Sequence, residues 1–340
     1  MRLRNNLAMG SGALNANLFG VKRPLSVMLS VTNLCNSKCV YCDIPSRKQR
    51  EMTPEEIIKL IDEMSEAGVQ KLSLWGGEPL LRKDIGRIIG RAKEKGMYVN
   101  CDSNGYLVPQ KFEEIKDLDF LILSFDGEKT NHDQNREPGS FDKIIRAVEH
   151  VNNRIPIWTL TVLTKHNINS VDFIVEKARE YGFKTMFQVP YHPQGIGAPA
   201  SLFATAEEYR KAFCRLIEMK NDGAPIISSQ HYLRVVADWS FFPDTTTEKS
   251  KHGIPKCWAG KLFCNIDTNG DMYPCSPMIG RVKSLNCLEL GFEESFRRIA
   301  PLSCRACVSA CCVEANLVFS LDFLTIQEWF KTTRRKTDDR

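Results

Sequence analysis

The 340-residue sequence contains no apolar run long enough to span a bilayer, and no signal peptide is predicted at its start. It also has no internal repeat and no low-complexity block. Its formal net charge is only +5, and no region combines basic with aromatic residues, so nucleic acid is not an expected partner. The basic run at 331–336 makes weak contact with an anionic membrane surface a minor expectation.

Cysteine, by contrast, is abundant. Thirteen cysteines fall in clumps, which favours metal-bound thiols in a reducing, cytoplasmic setting over secreted disulfides. The first clump, Cys35, Cys39 and Cys42, has the spacing C-x3-C-x2-C and follows a predicted strand at 27–31. Three thiolates hold three irons of a [4Fe–4S] cluster and leave the fourth iron open to a ligand. Zinc is the weaker alternative, because no histidine lies near this triplet.

Strand-like and helix-like segments alternate from Pro24 to about Pro190. The predicted strands cover 27–31, 71–75, 97–101, 120–125, 157–163 and 185–189. Thr53, Pro54 and Glu56 predict the capped start of the helix after the first strand. Six strand–helix units are fewer than the eight of a closed TIM barrel. We therefore predict an α/β fold, a partial (β/α)6 TIM-like barrel, with its chemistry at the carboxyl ends of the strands.

Short motifs stand where these strands end. Tyr41 lies within the cysteine triplet, and Gly76, Gly77 and Glu78 belong to a Trp-Gly-Gly-Glu-Pro run after the second strand. Together with the triplet, these motifs closely resemble the radical SAM superfamily. The resemblance implies the partial barrel as the fold. It also implies that a three-cysteine [4Fe–4S] cluster binds S-adenosylmethionine.

The same resemblance assigns contacts to the cofactor. It places Tyr41 beside the adenine and Glu78 against the ammonium of the methionine moiety, with charge-assisted hydrogen bonds. Gly76 and Gly77 let the backbone approach a ligand closely. Further candidates for the ribose or carboxylate of the cofactor are Ser103, Ser124, Asp126 and Arg136. The alternative for these four is structural, since Asn-Gly and Asp-Gly make tight turns and an arginine forms surface ion pairs.

A second cysteine-rich region begins at Cys257 and resembles the SPASM/twitch auxiliary-cluster domains, with a hairpin turn at Gly270. Two ligand sets for one auxiliary [4Fe–4S] cluster stay open. The first is Cys257, Cys275, Cys304 and Cys307; the second is Cys257, Cys264 and Cys275 with Cys311 or Cys312. Val313 stands where a full second cluster would need cysteine, and a structural zinc ribbon is the alternative. Cys101, Cys214 and Cys287 have no assigned role.

Four segments follow from these features. They are an N-terminal extension (1–23), the partial barrel (24–204), a connecting helical segment (205–256), and the SPASM/twitch-like domain with a C-terminal helix (257–340). The resemblance covers most of residues 24–312.

The resemblance implies an enzyme that reductively cleaves S-adenosylmethionine to a 5′-deoxyadenosyl radical. Hydrogen abstraction by that radical then oxidises, cross-links or otherwise modifies a peptide or small metabolite. An electron donor such as flavodoxin or ferredoxin is the expected partner. No catalytic acid or base stands out in the sequence.

Two other functions remain open. The cysteines at 304–311 also resemble the end of the radical SAM family that adds adenosyl groups to hopanoid lipids. With Leu7, Met9, Leu14 and Leu18 available for a membrane surface, that resemblance suggests an adenosyl-adding enzyme acting on a lipid-like substrate. The third function is a non-catalytic iron–sulfur or zinc protein, although the Gly76-Gly77-Glu78 motif argues against a simple carrier.

Overall fold

A computed structural model describes residues 3–190, 198–240, 242, 246–247, 256–300, 302 and 306–333. Six strands form the centre: β1 Ser26–Thr32, β2 Lys71–Gly76, β3 Tyr98–Ser103, β4 Phe120–Ser124, β5 Ile157–Val162 and β6 Lys184–Gln188. All five neighbouring pairs among them are parallel and follow chain order. Parallel neighbours joined by helices are the (β/α)6 arrangement, and the predicted partial barrel is confirmed.

Helices precede, join and follow these strands. They are α1 Leu3–Phe19, α2 Pro54–Glu66, α3 Ile85–Glu94, α4 Val108–Ile115, α5 Lys129–Asn135, α6 Ser140–Val151, α7 Val171–Tyr181, α8 Ala206–Asn221 and α9 Gln230–Ala237. At the start of α2, the Thr53 side chain accepts from the Glu56 amide, and the Glu56 carboxylate accepts from the Thr53 amide. This reciprocal capping box is the one that the sequence predicts.

The C-terminal region adds short elements. They are β7 Thr246–Thr247, β8 Phe263–Ile266, β9 Asp271–Tyr273, β10 Leu285–Asn286, α10 Cys287–Leu290, α11 Phe292–Arg298, β11 Ala306–Cys307, α12 Ala310–Phe319 and α13 Phe323–Thr333. Strand β8 pairs in parallel with β1, and β9 returns antiparallel to β8 through a turn at Gly270, whose φ is +90°. The cysteine-rich region thereby extends the barrel sheet beyond β1, in the order β10-β9-β8-β1-β2-β3-β4-β5-β6.

Helix α1 lies at the amino ends of the strands. The Asn5 amide donates to the backbone oxygens of Gln70 and Gly96, which lie just before β2 and β3. Gly12 of α1 packs against Leu25, so closely that a Cβ there would lie 2.8 Å from the leucine methyls. One face of α1 therefore forms the floor of the barrel.

The opposite side of α1 is apolar and exposed. Leu3, Leu7, Leu14 and Leu18 are 74, 64, 46 and 64% exposed, and their spacing of four and seven residues puts them on one helix face. No helix in the described ranges is long and apolar enough to cross a membrane. These four leucines form an exposed row on the surface of α1, which we call the α1 leucine row.

Candidate active site at the carboxyl ends of the strands

The cysteine triplet occupies the loop after β1. The Cys42 amide donates to the Cys39 carbonyl at 3.1 Å, which folds the loop back on itself. Its thiols meet side chains from other strand ends: the Asn104 amide donates to Cys35 Sγ at 3.9 Å, and Arg136 Nη1 donates to Cys39 Sγ at 3.4 Å. Residues that follow β3 and α5 therefore contact two of the three thiols.

Electrostatics in this loop reflect the closeness of the thiols. Although part of Cys42 is exposed, the loss of water around its thiol raises its pKa to about 11, and Cys39 and Cys35 add to the rise. Burial likewise raises the pKa of Cys35. Thiols with a raised pKa become thiolates when they bind metal, since the cation supplies the missing positive charge.

Gly76 and Gly77 are needed by the loop that carries the triplet. Gly76 has φ +133°, and a Cβ there would lie 2.3 Å from the Thr32 carbonyl oxygen. A Cβ on Gly77 would lie 2.2 Å from the Leu34 oxygen. The Gly77 and Glu78 amides donate to these same two oxygens at 2.7 and 2.8 Å. The contact that requires glycine is thus with the cysteine loop.

Glu78 is fully buried and bridges two strand ends. One carboxylate oxygen accepts from the Leu80 amide and the Ser103 hydroxyl, and the other accepts from the Asn104 amide at 2.7 Å. Burial raises its pKa to about 7. A carboxylate offers about four acceptor positions, so three are used and one remains for a ligand ammonium.

Asp126 is the centre of a buried polar network. One of its oxygens accepts from the Tyr41 hydroxyl and from Arg136 Nε, both at 2.8 Å, and the other accepts from the Val162 amide. Its own amide donates to His132 Nδ1 at 3.0 Å. The network ties the cysteine loop to β4, β5 and α5. The network uses the Tyr41 hydroxyl and the Nε–H group of Arg136, and a second guanidinium N–H group donates to Cys39. Three of the five N–H groups of Arg136 therefore remain as donors.

The two serine candidates differ in their surroundings. Ser103 is buried and donates to Glu78, while its oxygen accepts from the Gly105 amide. Ser124 is half-buried at the end of β4. The structure therefore brings the predicted cofactor residues to one edge of the sheet, while their contacts with a ligand stay a prediction.

A second group of thiols lies in the C-terminal region. Cys312 lies within hydrogen-bonding reach of the sulfurs of Cys275, Cys307 and Cys311, and its own sulfur is 3.9 Å from that of Cys311. Cys257 borders this group and is close enough to influence the charge of Cys275. The cysteines that meet are drawn from both of the predicted ligand sets.

Two members of the predicted sets stand elsewhere. Cys264 is fully buried in β8 as part of the main core, where Cys287 is close enough to influence its charge. Cys304 lies outside the described residues. Within the described ranges, no three His, Cys, Asp or Glu side chains are placed to hold a metal ion, so both cysteine groups remain predicted metal sites.

A cavity of about 330 Å³ lies inside the barrel. Its floor is the inner face of α1, its wall consists of inward side chains from β1 to β6, and α12 and α13 close its open side. Cys275, Cys311 and Cys312 line this cavity, together with the charged side chains of Lys71 and Asp102. Sequence analysis does not single out these two charged residues, because their spacing matches no motif.

Comparison with known proteins finds a family model that matches the barrel. Residues 29–178 match the model of the radical SAM superfamily. The matched segment is a radical SAM domain. Members of this family use a [4Fe–4S] cluster with S-adenosylmethionine, and the match includes the triplet and the Gly76-Gly77-Glu78 motif.

Several radical SAM proteins are similar to this chain. The mycofactocin maturase MftC of Mycolicibacterium smegmatis is 29% identical over 268 residues, covering 75% of this chain and 65% of the maturase. The AdoMet-dependent heme synthase of Methanosarcina barkeri is 27% identical over 273 residues, with 74 and 76% covered. The PqqA peptide cyclase of Granulibacter bethesdensis is 25% identical over 268 residues, with 75 and 68% covered. The chain thus spans slightly less than two thirds of the mycofactocin maturase.

Solved structures share the fold. Streptococcus suis SuiB bound to S-adenosylmethionine superposes with a TM-score of 0.63 at 17% identity, covering 82% of this chain and 67% of SuiB. The protein anSMEcpe with bound AdoMet and Cp18Cys peptide superposes with a TM-score of 0.64 at 19% identity, covering 91 and 96%. The agreement extends beyond the six-stranded barrel into the C-terminal region.

The residues at the strand ends fit the radical SAM cofactors. Three thiols in one short loop are a suitable donor set for three irons. Among the described residues, the buried polar atoms Trp75 Nε1 and Asn135 Nδ2 lack a hydrogen-bond partner. Such atoms are stabilised by a bound ligand that supplies acceptors. Trp75 precedes the glycine motif directly, yet its sequence position alone does not reveal the unpaired nitrogen.

Proposed function

We propose that this chain is a radical SAM enzyme in which Cys35, Cys39 and Cys42 hold a [4Fe–4S] cluster that binds S-adenosylmethionine. When bound, the two cofactors supply a 5′-deoxyadenosyl radical able to abstract hydrogen from an unactivated carbon. The observation that carries the proposal is that Asn104 joins the two sites: its side-chain amide donates to Cys35 Sγ at 3.9 Å, and its backbone amide donates to Glu78, whose carboxylate keeps one acceptor position for an ammonium.

The protein groups would bind and orient the cofactor. Glu78 accepts hydrogen bonds from the methionine ammonium, while the free N–H groups of Arg136 pair with a carboxylate. The Tyr41 ring stands beside the adenine, and its hydroxyl, held by Asp126, fixes the ring. Ser103 and Ser124 contribute hydroxyls at the neighbouring strand ends. Burial of these groups excludes water from the reacting atoms.

The substrate we propose is a peptide or small metabolite. Relatives named as a mycofactocin maturase and a PqqA peptide cyclase point to peptides, and SuiB has been solved with its precursor peptide SuiA. The reducing cytoplasm, with flavodoxin or ferredoxin as electron donor, suits a chain with thirteen cysteines.

The second thiol group is proposed to hold one auxiliary [4Fe–4S] cluster. Cys275, Cys307 and Cys312 are the ligands that the contacts favour, with Cys257 or Cys311 as the fourth. Its place on the cavity wall suits an electron acceptor for a substrate radical, because electron transfer needs a short path from the substrate site.

Anaerobic reconstitution tests the function. The holoprotein is expected to bind about eight irons, four per cluster, and to form 5′-deoxyadenosine when given dithionite and S-adenosylmethionine. Iron is counted chemically, and the nucleoside is measured by mass spectrometry. Eight irons without any nucleoside would favour an electron carrier, and zinc in place of iron would overturn the proposal.

An adenosyl-adding enzyme with a lipid-like substrate is the second candidate, and the α1 leucine row favours it. Exposed leucines on one face of a helix can contact the apolar part of a membrane surface, and the four basic residues at 331–336 suit anionic lipid headgroups. Mass spectrometry separates the candidates, since addition gives an adenosylated product, whereas abstraction gives free 5′-deoxyadenosine.

The α1 leucine row predicts binding to anionic vesicles. Replacing Leu7 and Leu14 together by serine should lower co-sedimentation with phosphatidylglycerol vesicles about 10-fold or more, because less apolar area enters the bilayer. Leu290→Ser, at an exposed leucine on α10, is the matched control. Equal sedimentation of wild type and the double variant would contradict the membrane contact.

A further inference from the structure

The barrel cavity has an apolar wall with few polar groups. Ile122, Trp158, Leu160 and Met186 come from three neighbouring strands, and all four are only half-buried because they face the cavity. The polar pair Ser73 and Asn100 on the same wall is satisfied internally by a hydrogen bond of 2.7 Å. A pocket of this kind binds the apolar part of a ligand, and a few charged groups determine which ligand is selected.

Lys71 is the cation of this cavity. It is the first residue of β2, directly after Gln70, to which Asn5 of α1 is bonded. Its ammonium lies 5.6 Å from the centre of the Phe120 ring, and it forms no hydrogen bond or ion pair with any other described residue. Burial lowers its pKa. Asp102 and Cys311 lie within electrostatic range of Lys71, but neither forms an ion pair with its ammonium. The ammonium donors therefore remain available to a ligand that supplies negative charge.

Asp102 lies on the same cavity wall, nearer to the carboxyl ends of the strands. The strand register aligns Lys71 with Tyr98, and Asp102 follows four residues later on β3, roughly 13 Å along the strand. Its carboxylate accepts one hydrogen bond, from the Asn100 amide at 3.2 Å. Asp102 adjoins Ser103 of the candidate cofactor site. The cavity therefore runs from a cation at the floor to the strand ends where the chemistry is proposed.

We propose that this cavity binds an amphiphilic molecule, an apolar body with one carboxylate or phosphate, whose anionic group is held by Lys71. The apolar body then extends along the strands toward Asp102 and the proposed radical site. The identification of this molecule as the substrate rests on the proposed function, whereas its binding to the cavity does not depend on that function. A carboxylate at Lys71 gains charge-assisted hydrogen bonds from donors that have no other partner.

Binding of cis-parinaric acid, a fluorescent fatty acid, tests the proposal on anaerobically reconstituted protein. The acid is expected to bind about 10- to 100-fold more tightly than its methyl ester, which lacks the charge. Lys71→Met should abolish this preference by weakening the acid alone, because methionine keeps the apolar stem. Lys59→Met, at a 76% exposed lysine on α2, should leave both affinities unchanged.

Two further variants distinguish a specific loss of binding from misfolding. Lys71→Arg keeps a cation and should retain the preference, and Leu160→Trp should fill the cavity and weaken acid and ester alike. If wild type binds both probes equally, the proposal fails. The proposal also fails if Lys71→Met keeps the preference for the acid but shifts the absorbance of the C-terminal cysteine group. The charge of Lys71 would then stabilise Cys311, which lies within electrostatic range. Nucleoside formation is measured separately, so failure of the radical chemistry is distinguishable.

Discussion

Cys39→Ala is expected to reduce cleavage of S-adenosylmethionine by at least about a hundred-fold. Even a change in the groups surrounding a metal ligand costs up to about that factor in affinity or activity, and this change removes a ligand itself. It also deprives Arg136 Nη1 of the sulfur to which it donates. The nucleoside is measured by mass spectrometry, and the absorbance of the proposed C-terminal cluster should persist because its thiols lie on other elements, including β11 and α12.

The comparison variant is Cys275→Ala in the second thiol group. It should retain part of the cofactor cleavage but lose the modified product, because the radical still forms while its electron has no acceptor. Cys214→Ala, at an exposed cysteine of α8, should change neither quantity. Equal loss of cleavage in the Cys39 and Cys275 variants would contradict the assigned division between the two cysteine groups.

The barrel could be predicted because its signals are local. Buried strands appear as short apolar runs, and the run at 27–31 lies within β1, Ser26–Thr32. The helix after it carries its own cap in Thr53 and Glu56. Since a parallel order follows from strands alternating with helices, the six-stranded core needs no long-range information.

Other parts of the fold depend on contacts that no local pattern reveals. Helix α1 is diluted by asparagine and glycine, and it is stabilised by packing of Ala13 and Ala16 against Leu25 and Trp258. The pairing of β8 with β1 joins residues more than 230 positions apart. Cys312 on α12 meets Cys307 on β11 and Cys275 after β9 only in the folded chain, whereas spacing alone left two ligand sets open.

At the active site, residue types were predictable and their partners were not. The motif points to Glu78, but its bonds to Ser103 and Asn104 arise only when β2 and β3 become neighbours. Likewise, Asp126 and Arg136 are ten residues apart, and the sequence leaves a surface ion pair open for the arginine. The structure buries both, with side chains 0 and 5% exposed.

Arg136→Met is expected to lower the free energy of unfolding by about 3–5 kcal/mol. The substitution leaves the Asp126 carboxylate buried with only the Tyr41 hydroxyl and the Val162 amide as donors, and an uncompensated buried charge is strongly destabilising. Urea unfolding of the cluster-free protein under reducing conditions measures the change. The cysteine loop should loosen as well, because Arg136 also donates to Cys39.

A double-mutant cycle separates the ion pair from packing. Asp126→Asn alone should also destabilise, since it leaves the Arg136 cation buried, but the two substitutions together should cost less than the sum of the single changes. Lys129→Met breaks an ion pair with Asp142 in which both side chains are more than half exposed, and it should cost less than about 1 kcal/mol. The Asp126 network does not hold the cysteine loop to the barrel if Arg136→Met lowers the free energy of unfolding as little as Lys129→Met does. The same conclusion follows if the effects of the Asp126 and Arg136 substitutions simply add.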